Sequence, residues 1–548
     1  MKRHLYFLTV LALLPFYLSA QITVGLFQND PGSFDGYTLF ASNGYTSTYL
    51  VDNCGRLINE WPGTALPGNA YYLSTDGFLY RSVAVSSNTF SGGGIGGRIE
   101  KLDWEGNLVW EYQYSNNNVH QHHDIEILPN GNIMFLAWET KTMEEAIAAG
   151  RNPDYFGDAL WPDHILEIEP IGNAGGPIAW EWHLWDHLIQ DFDSSKENFG
   201  VVADHPEAVD VNYIGSLDNV NERDWTHCNS IAYNAERDEI IISSREFNEL
   251  WTLDHSTTKE EAAGHSGGNA GKGGDLLYRW GNPRSYQRGT EIDQKLFSQH
   301  DAHWIPQGLN DAGKVMIFNN GKDRPGGNAS SVDIIVPSLD TNGNYLLEND
   351  AAFGPEVLDW TYFPDITTDF YSAFISGAQR LPNGNTLICE GIEGRIFEIN
   401  TDEEVLWEYI NPVGLTGPIA QGEYTQGNTV FRAYRYPVNH PAFTGKDLTP
   451  GPPIELEPIP NDCQIMNSTN NLVSRAWTVF PNPVKEELHI SVAEGNIGTV
   501  RLVNALGVMI KTEEIIGKEC RVLTKHLQAG VYFLFAGEEH VQKIIKSN

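Results

Sequence analysis

The 548-residue chain reads as all-β, a six-bladed β-propeller followed by a small C-terminal β-sandwich. Three observations predict this. An aromatic strand ending recurs six times, in Leu57-Ile-Asn-Glu-Trp61, Leu108-Val-Trp-Glu-Tyr112, Ile178-Ala-Trp-Glu-Trp182, Leu277-Tyr-Arg-Trp280, Leu358-Asp-Trp-Thr-Tyr362 and Val405-Leu-Trp-Glu-Tyr409. A second phrase, clearest in His123-Asp-Ile-Glu-Ile-Leu-Pro-Asn-Gly-Asn132, runs an extended segment into an Asn-Gly turn, a strong hairpin signal. Variants of it begin at Gly68, His227, His300 and Ser376. Finally, 53 Gly, 15 Trp and 23 Tyr suit short strands and tight turns better than helices. One unit then reads strand, turn, strand, loop, strand, turn, aromatic strand. Four strands at a period of about fifty residues is a propeller-blade pattern.

Taken in order, residues 1–20 have the form of a secretory signal: Lys2 and Arg3, an apolar run from Leu5 to Leu18, and Ser19-Ala20 before Gln21. The run is too short for a membrane span, and no later stretch qualifies. Residues 21–445 are the propeller. Its units lengthen near 140–160, where one helix is expected, and at 190–224, 255–275 and 321–356. Long inserts on a repeat scaffold gather as functional loops. Ser91-Gly-Gly-Gly-Ile-Gly-Gly97 and Gly264–Gly274 are Gly-rich, but neither leads into a helix, so they read as loops rather than phosphate cradles. Residues 446–474 form a Pro-rich extended linker. Residues 475–548 alternate as strands at 488–492, 499–503, 508–510 and 531–535, a small sandwich. The five cysteines are scattered without a CxxC pair, which rules out a disulfide scaffold. A net charge of -37 argues against nucleic acid, whose binding needs clustered Lys and Arg at phosphates.

The first strand of each propeller blade lines the central channel. Equivalent positions there carry Gly68, His123, His227, His300 and Ser376, and the first blade offers no clear copy. Alternation turns His122, Asp124 and Asp301 to the other side, and likewise His120 and His303. Three converging imidazoles fit two chemistries. They could ligate Zn²⁺, Cu²⁺ or Fe²⁺ in a metal-dependent lyase or hydrolase. They could instead act as nucleophile, acid and anion donors. A non-catalytic surface propeller for adhesion or glycan binding is the third reading.

The blade phrases and the closing Val430-Phe-Arg-Ala-Tyr-Arg-Tyr436 resemble bacterial arylsulfate sulfotransferases over roughly residues 35–445. The resemblance implies a catalytic His, two further His and an Arg, which fall on His300, His123, His227 and Arg245. It implies transfer from an aryl sulfate to a phenol through a sulfo-histidine, with ping-pong kinetics, no metal, no cofactor and no PAPS. Arg324 and Asn319, in Asn319-Asn-Gly-Lys-Asp-Arg324, and Tyr71 are candidate substrate-binding residues, with Trp304 a further aromatic at the mouth. At the other end, Val479-Phe-Pro-Asn-Pro483, Asn504-Ala-Leu-Gly507, Leu527-Gln-Ala-Gly-Val-Tyr532 and Gln542-Lys-Ile-Ile-Lys546 resemble the sorting domain of the type IX secretion system. That implies passage through the periplasm of a Bacteroidetes-type bacterium after Sec export, and a secreted or cell-surface location.

Overall fold

In the computed structural model the described residues are 22–546 apart from 156, 215–222, 349, 365–368, 424–425, 460–462, 464–476, 481–483, 493–497, 505–508, 516, 529 and 537–539. The signal segment 1–20 and most of 460–474 lie outside them. The chain divides into two compact units, Met1–Gln464 and Ile465–Asn548.

The first unit is the six-bladed propeller. Blades 2 to 5 are continuous four-stranded antiparallel sheets, with inner strands Pro67–Leu73, Val119–Ile127, Cys228–Asn234 and His300–Trp304. Blade 6 runs outward from Gly377–Arg380 and gains Gly25–Asn29 as a fifth, outermost strand. Blade 1 takes Gly36–Ser42, Thr48–Asp52 and Leu57–Trp61 from the N-terminal end, and its inner strand is Val430–Pro437. The inner copy missing from the first blade's sequence is therefore Val430–Pro437, contributed by the far end of the chain.

The aromatic endings are the outermost strand of every blade bar the sixth, where Val405–Ile410 lies one strand in. Five of them carry a buried Trp whose indole N–H donates to a carbonyl in the third-to-fourth-strand loop of the next blade. The pairs are Trp61 to Asp103 (2.9 Å), Trp110 to Gly175 (2.9 Å), Trp182 to Gly274 (2.7 Å), Trp280 to Pro355 (2.8 Å) and Trp407 to Asn53 (2.8 Å). Each ring thus fills the inter-blade core with its apolar body and satisfies a loop carbonyl with its polar tip. The last pair closes blade 6 onto blade 1.

The expected insert helix is Met143–Ala148, started by a Thr142–Glu145 capping box. Beyond residue 445 the Pro-rich stretch lies along the propeller. Gly451 N–H donates to Leu57 O, Leu57 N–H donates to Pro452 O, and Cys54 is disulfide-bonded to Cys463. The outer edge of blade 1 is covered in this way rather than left as an open strand.

The second unit has two antiparallel sheets. One orders Trp477–Phe480, Glu487–Val492 and Glu519–Leu523. The other orders Met509–Ile515, Gly498–Asn504, Gly530–Ala536 and His540–Lys546. Leu488, Ile490, Val500, Leu502, Val522, Leu534 and Ile544 form its core. Among the described residues, no helix is long and apolar enough to cross a membrane.

Candidate active site

The inner strands do not keep strict alternation where the repeated phrase begins. Ile125 pairs with Phe135 and Gln121 with Ala137, so His122, His123 and Asp124 together oppose only Leu136. Asn229 is extra between Cys228 and Ser230, and Asp301 with Ala302 opposes only Ile317. Phe431 and Arg432 bulge in the same way on blade 1. Left-handed backbone accompanies the bulges of blades 2 to 5, at Asn69 (φ 87°), His123 (49°), His227 (45°) and Asp301 (56°), and recurs at Ser376 (87°) just before the inner strand of blade 6. Such bulges bend a strand and re-aim its side chains.

Three sequence expectations change as a result. Asp124 and Asp301, expected on the other side, both meet Arg432 in the channel. His122 does not face away from His123, because their Nδ1 atoms lie 2.9 Å apart. Nor is His227 in register with His123 and His300. Asp124 accepts the N–H of Ile231, Ser230 Oγ that of Ala302, and Asp301 that of Ala378. These equivalent bonds make Ser230 the counterpart of Asp124 and Asp301, and Asn229 the counterpart of the two histidines. His227 stands two residues earlier and enters from the approach to its strand. It still meets His123, with ring centroids 4.7 Å apart.

The four principal residues have contrasting surroundings. His300 is buried, and its Nδ1 lies 2.8 Å from Asn320 Oδ1 and 3.1 Å from Ser298 O. Asn320 donates both amide hydrogens, to Ser372 O (2.7 Å) and Ile375 O (2.9 Å), so its oxygen is the atom turned to the imidazole. Both partners of Nδ1 are acceptors, so Nδ1 carries the proton and Nε2 keeps the lone pair. The Ile375 N–H approaches that lone pair at 3.2 Å, from a β-branched residue held at φ 54°, an uncommon conformation. Burial, with Arg245 next, lowers the His300 pKa well below the ordinary 6.5.

His123 is likewise driven well below 6.5, by burial first and then by His227, His122 and His300. Behind it His122 Nε2 lies against Asp163 Oδ1 (2.8 Å), and its ring stacks on Trp138 at 4.1 Å. Asp163 is fixed by Thr226 Oγ1 and the Cys228 N–H. The imidazole of His227 behaves oppositely. Burial alone would lower its pKa, but Asp224, 2.5 Å from Nδ1, holds it above 6.5. Asp224 is itself held by the Trp138 indole N–H. Arg245 lies close enough for its charge to bear on both His227 and His300, and its guanidinium pairs with Glu246. Two neutral imidazoles thus stand beside Arg245 and an imidazole whose charged form Asp224 favours.

The loop 91–97 lies on this cluster. A Cβ on Gly94, whose φ is 74°, would sit 2.1 Å from His123 Nε2, and one on Gly93 would touch His227 Cε1 at 3.6 Å. Glycine at 94 therefore lets the loop pack closely against His123 Nε2, where a methyl group would clash. The sequence reading gave this stretch no functional part.

Arg432 plugs the channel. It bonds Asp124 (2.7 Å), Asp301 (3.1 Å), Tyr72 OH (3.1 Å) and Asn229 O (2.9 Å). The three remaining candidates are not brought to the histidines. Tyr71 is buried between blades 1 and 2 with its hydroxyl on Arg432 O, and Tyr72 faces the axis instead. Asn319 spends its amide on Phe297 N–H, Lys295 O and Asp333. Arg324 donates to Ser331 Oγ and lies over Phe297 and Phe363. Trp304 packs against the Ile241, Leu250 and Val315 core. Among the described residues, His123, His227 and His300 do not bring three ligand atoms to metal-binding distance.

The profile of a family described as Arylsulfotransferase (ASST) matches residues 28–411, and that of a secretion system C-terminal sorting domain matches residues 478–547. No curated protein matches the chain. Solved structures similar to it include a protein of unknown function from Bacteroides caccae, with 11% identity, TM-score 0.38, 74% of this chain and 99% of that one covered. Others are a virginiamycin B lyase from Staphylococcus aureus (10% identity, TM-score 0.31, 71% and 89% covered) and hydrazine synthase from Kuenenia stuttgartiensis (14% identity, TM-score 0.33, 57% and 71% covered).

Proposed function

The chain belongs to the arylsulfotransferase family, and on that premise we propose that it moves a sulfuryl group from an aryl sulfate to a phenol through a sulfo-histidine on His300. The observation that carries the reading is the tautomer of His300. Asn320 and Ser298 fix the proton on Nδ1, which leaves Nε2 as a buried, neutral nucleophile.

In the first half-reaction the Nε2 lone pair forms the N–S bond as the S–O(aryl) bond breaks, and the bonding pair leaves on the aryl oxygen. Sulfuryl transfer is like phosphoryl transfer, with charge spread over the non-bridging oxygens, so catalysis is mainly positioning and charge stabilisation. Arg245 and the His227 imidazolium supply the charge. The facing Nδ1 atoms of His122 and His123 hold one proton between them. With that proton on His122, balanced by Asp163, His123 bears its hydrogen on Nε2 and protonates the leaving oxygen. The shared proton then passes to His123 Nδ1 and leaves Nε2 bare. In the second half-reaction Nε2 takes the acceptor's proton while the phenol oxygen forms its bond to sulfur, and the N–S pair returns to His300. No nucleotide donor takes part. The C-terminal sorting domain supports type IX export, with the enzyme working outside the cell or on its surface.

The test uses p-nitrophenyl sulfate with varied phenols. Parallel double-reciprocal lines and label trapped on His300 are expected, both lost in His300→Ala. Release of p-nitrophenol at full rate without an acceptor would show a sulfatase instead.

A further inference from the structure

Away from the channel, the ligand atoms of His187, His265 and Asp275 all lie within 4.8 Å of one another. We propose that this trio binds a divalent cation of the zinc class, through both Nδ1 atoms and Asp275 Oδ1, with water completing the tetrahedron. The ion would pin the glycine loop Gly264–Gly274 to the blade beneath it.

The chemistry of His187 is the first argument. The side chain is fully buried, and Nε2 lies 2.9 Å from the Ala262 carbonyl, which can only accept. Nε2 therefore carries the hydrogen, and in a neutral imidazole Nδ1 is a bare lone pair. That lone pair faces the carboxylate oxygen of Asp275 at 2.8 Å, an arrangement that calls for a cation. A ring N–H given to a backbone carbonyl is also the usual support for a metal-ligating histidine. His265 supplies the second argument. Its Nδ1 reaches the same Asp275 oxygen at 2.8 Å, and its ring stands at 90° to that of His187. Two imidazole nitrogens and one carboxylate oxygen lie within 4.8 Å of one another, a donor set that suits zinc with one open position.

The loop is built to hold this geometry. A Cβ on Gly274 would fall 1.9 Å from Ala262 O and 2.6 Å from His187 Nε2, so only glycine lets Asp275 approach. Trp182 stacks on His187 at 5.7 Å and donates to Gly274 O. His187 and Asp275 are thus fixed by the same indole that staples blade 3 to blade 4. The His265 side chain is 69% exposed, which gives the ion its way in.

The proposal is independent of sulfuryl transfer, and its test reads metal rather than turnover. The full chain, stripped with chelator, is titrated with Zn²⁺ by calorimetry, and metal content is measured after dialysis. His265→Ala and Asp275→Asn should each weaken a one-per-chain site at least tenfold. His205→Ala, an exposed histidine paired with Glu207, should leave it unchanged. Zinc should also slow tryptic cleavage after Lys272, inside the loop, at least tenfold in the parent and not in His265→Ala. His265 is exposed, so its loss should not unfold the chain. Unchanged zinc binding in His265→Ala, equal loss in His205→Ala, no binding by the parent, or no protection at Lys272 would each overturn the proposal.

Discussion

His227 and His300 share one cluster, yet their surroundings push their protons in opposite directions. The His227 pKa is raised above 6.5 by Asp224, so its charge is full at lower pH and is lost as pH rises through the raised value. The His300 pKa lies well below 6.5, so its lone pair is lost only in acid. The rate should therefore be highest in the window between the two pKa values. Its acid limb should fall well below 6.5 and its alkaline limb above it. Asp224→Asn removes the partner that outweighs burial, so the alkaline limb should move to lower pH while the acid limb stays. Measurement of kcat/KM against pH checks this, and an unmoved alkaline limb would assign it to another group. The histidines and Arg245 were legible from residue type, order and family resemblance. Asn320, His122, Asp163 and Asp224 were not, because what matters about them is which atom they turn to a histidine. Asn319 and Asn320 are adjacent and chemically identical, but Asn320 faces His300 while Asn319 ties Lys295, Phe297 and Asp333 together.

Strand alternation is a rule about regular strands, and the inner strands break it at the functional position. The phrase itself and the turn after it were readable, because Asn-Gly turns and apolar alternation are local signals. A bulge is not local in this sense, since it depends on how many residues oppose how many on the partner strand. This is why His122 was assigned to the wrong side and His227 to a register two residues off. The loop 91–97 was set aside for a similar reason. Its glycines lack a phosphate-loop context, and their function here, close approach to imidazoles from blades 3 and 4, leaves no trace at the sequence level. Gly94→Ala tests that function. It should cost roughly 1–2 kcal/mol of stability for the left-handed backbone. Activity should fall far more, at least a hundredfold, because the new methyl group occupies the space in front of His123 Nε2. A denaturant midpoint and kcat/KM measured on the same preparation separate the two effects. Activity lost only in proportion to folded protein would mean that the loop is a cover and nothing more.

A propeller is a ring, and its stability depends on how the ring is closed. The six aromatic endings sufficed to count blades, but the closure pairs chain segments almost 400 residues apart, and no local pattern reports such a pairing. Blade 1 combines Val430–Pro437 with strands from the N-terminal end, the Trp407 indole bonds Asn53, and Gly25–Asn29 caps blade 6. Arg432, on the closing strand, then meets carboxylates from blades 3 and 5 at the axis. Replacing it with Ala leaves two buried carboxylates unpaired, which should cost about 3–5 kcal/mol. The Cys54–Cys463 disulfide works at the rim, and its two residues are 409 positions apart. Its effect falls mainly on the unfolded chain, which it converts into a very large loop, so removing it should cost about 2–5 kcal/mol. The two losses can be told apart by what else changes. Cys54→Ser with Cys463→Ser leaves the folded channel untouched, so kcat and its pH profile should match the parent while the denaturant midpoint drops. Arg432→Ala disturbs the strands that carry His123 and His300, so midpoint and kcat should fall together. Equal kcat losses in the two variants would mean that the strap, and not the axial arginine, sets the geometry of the cluster.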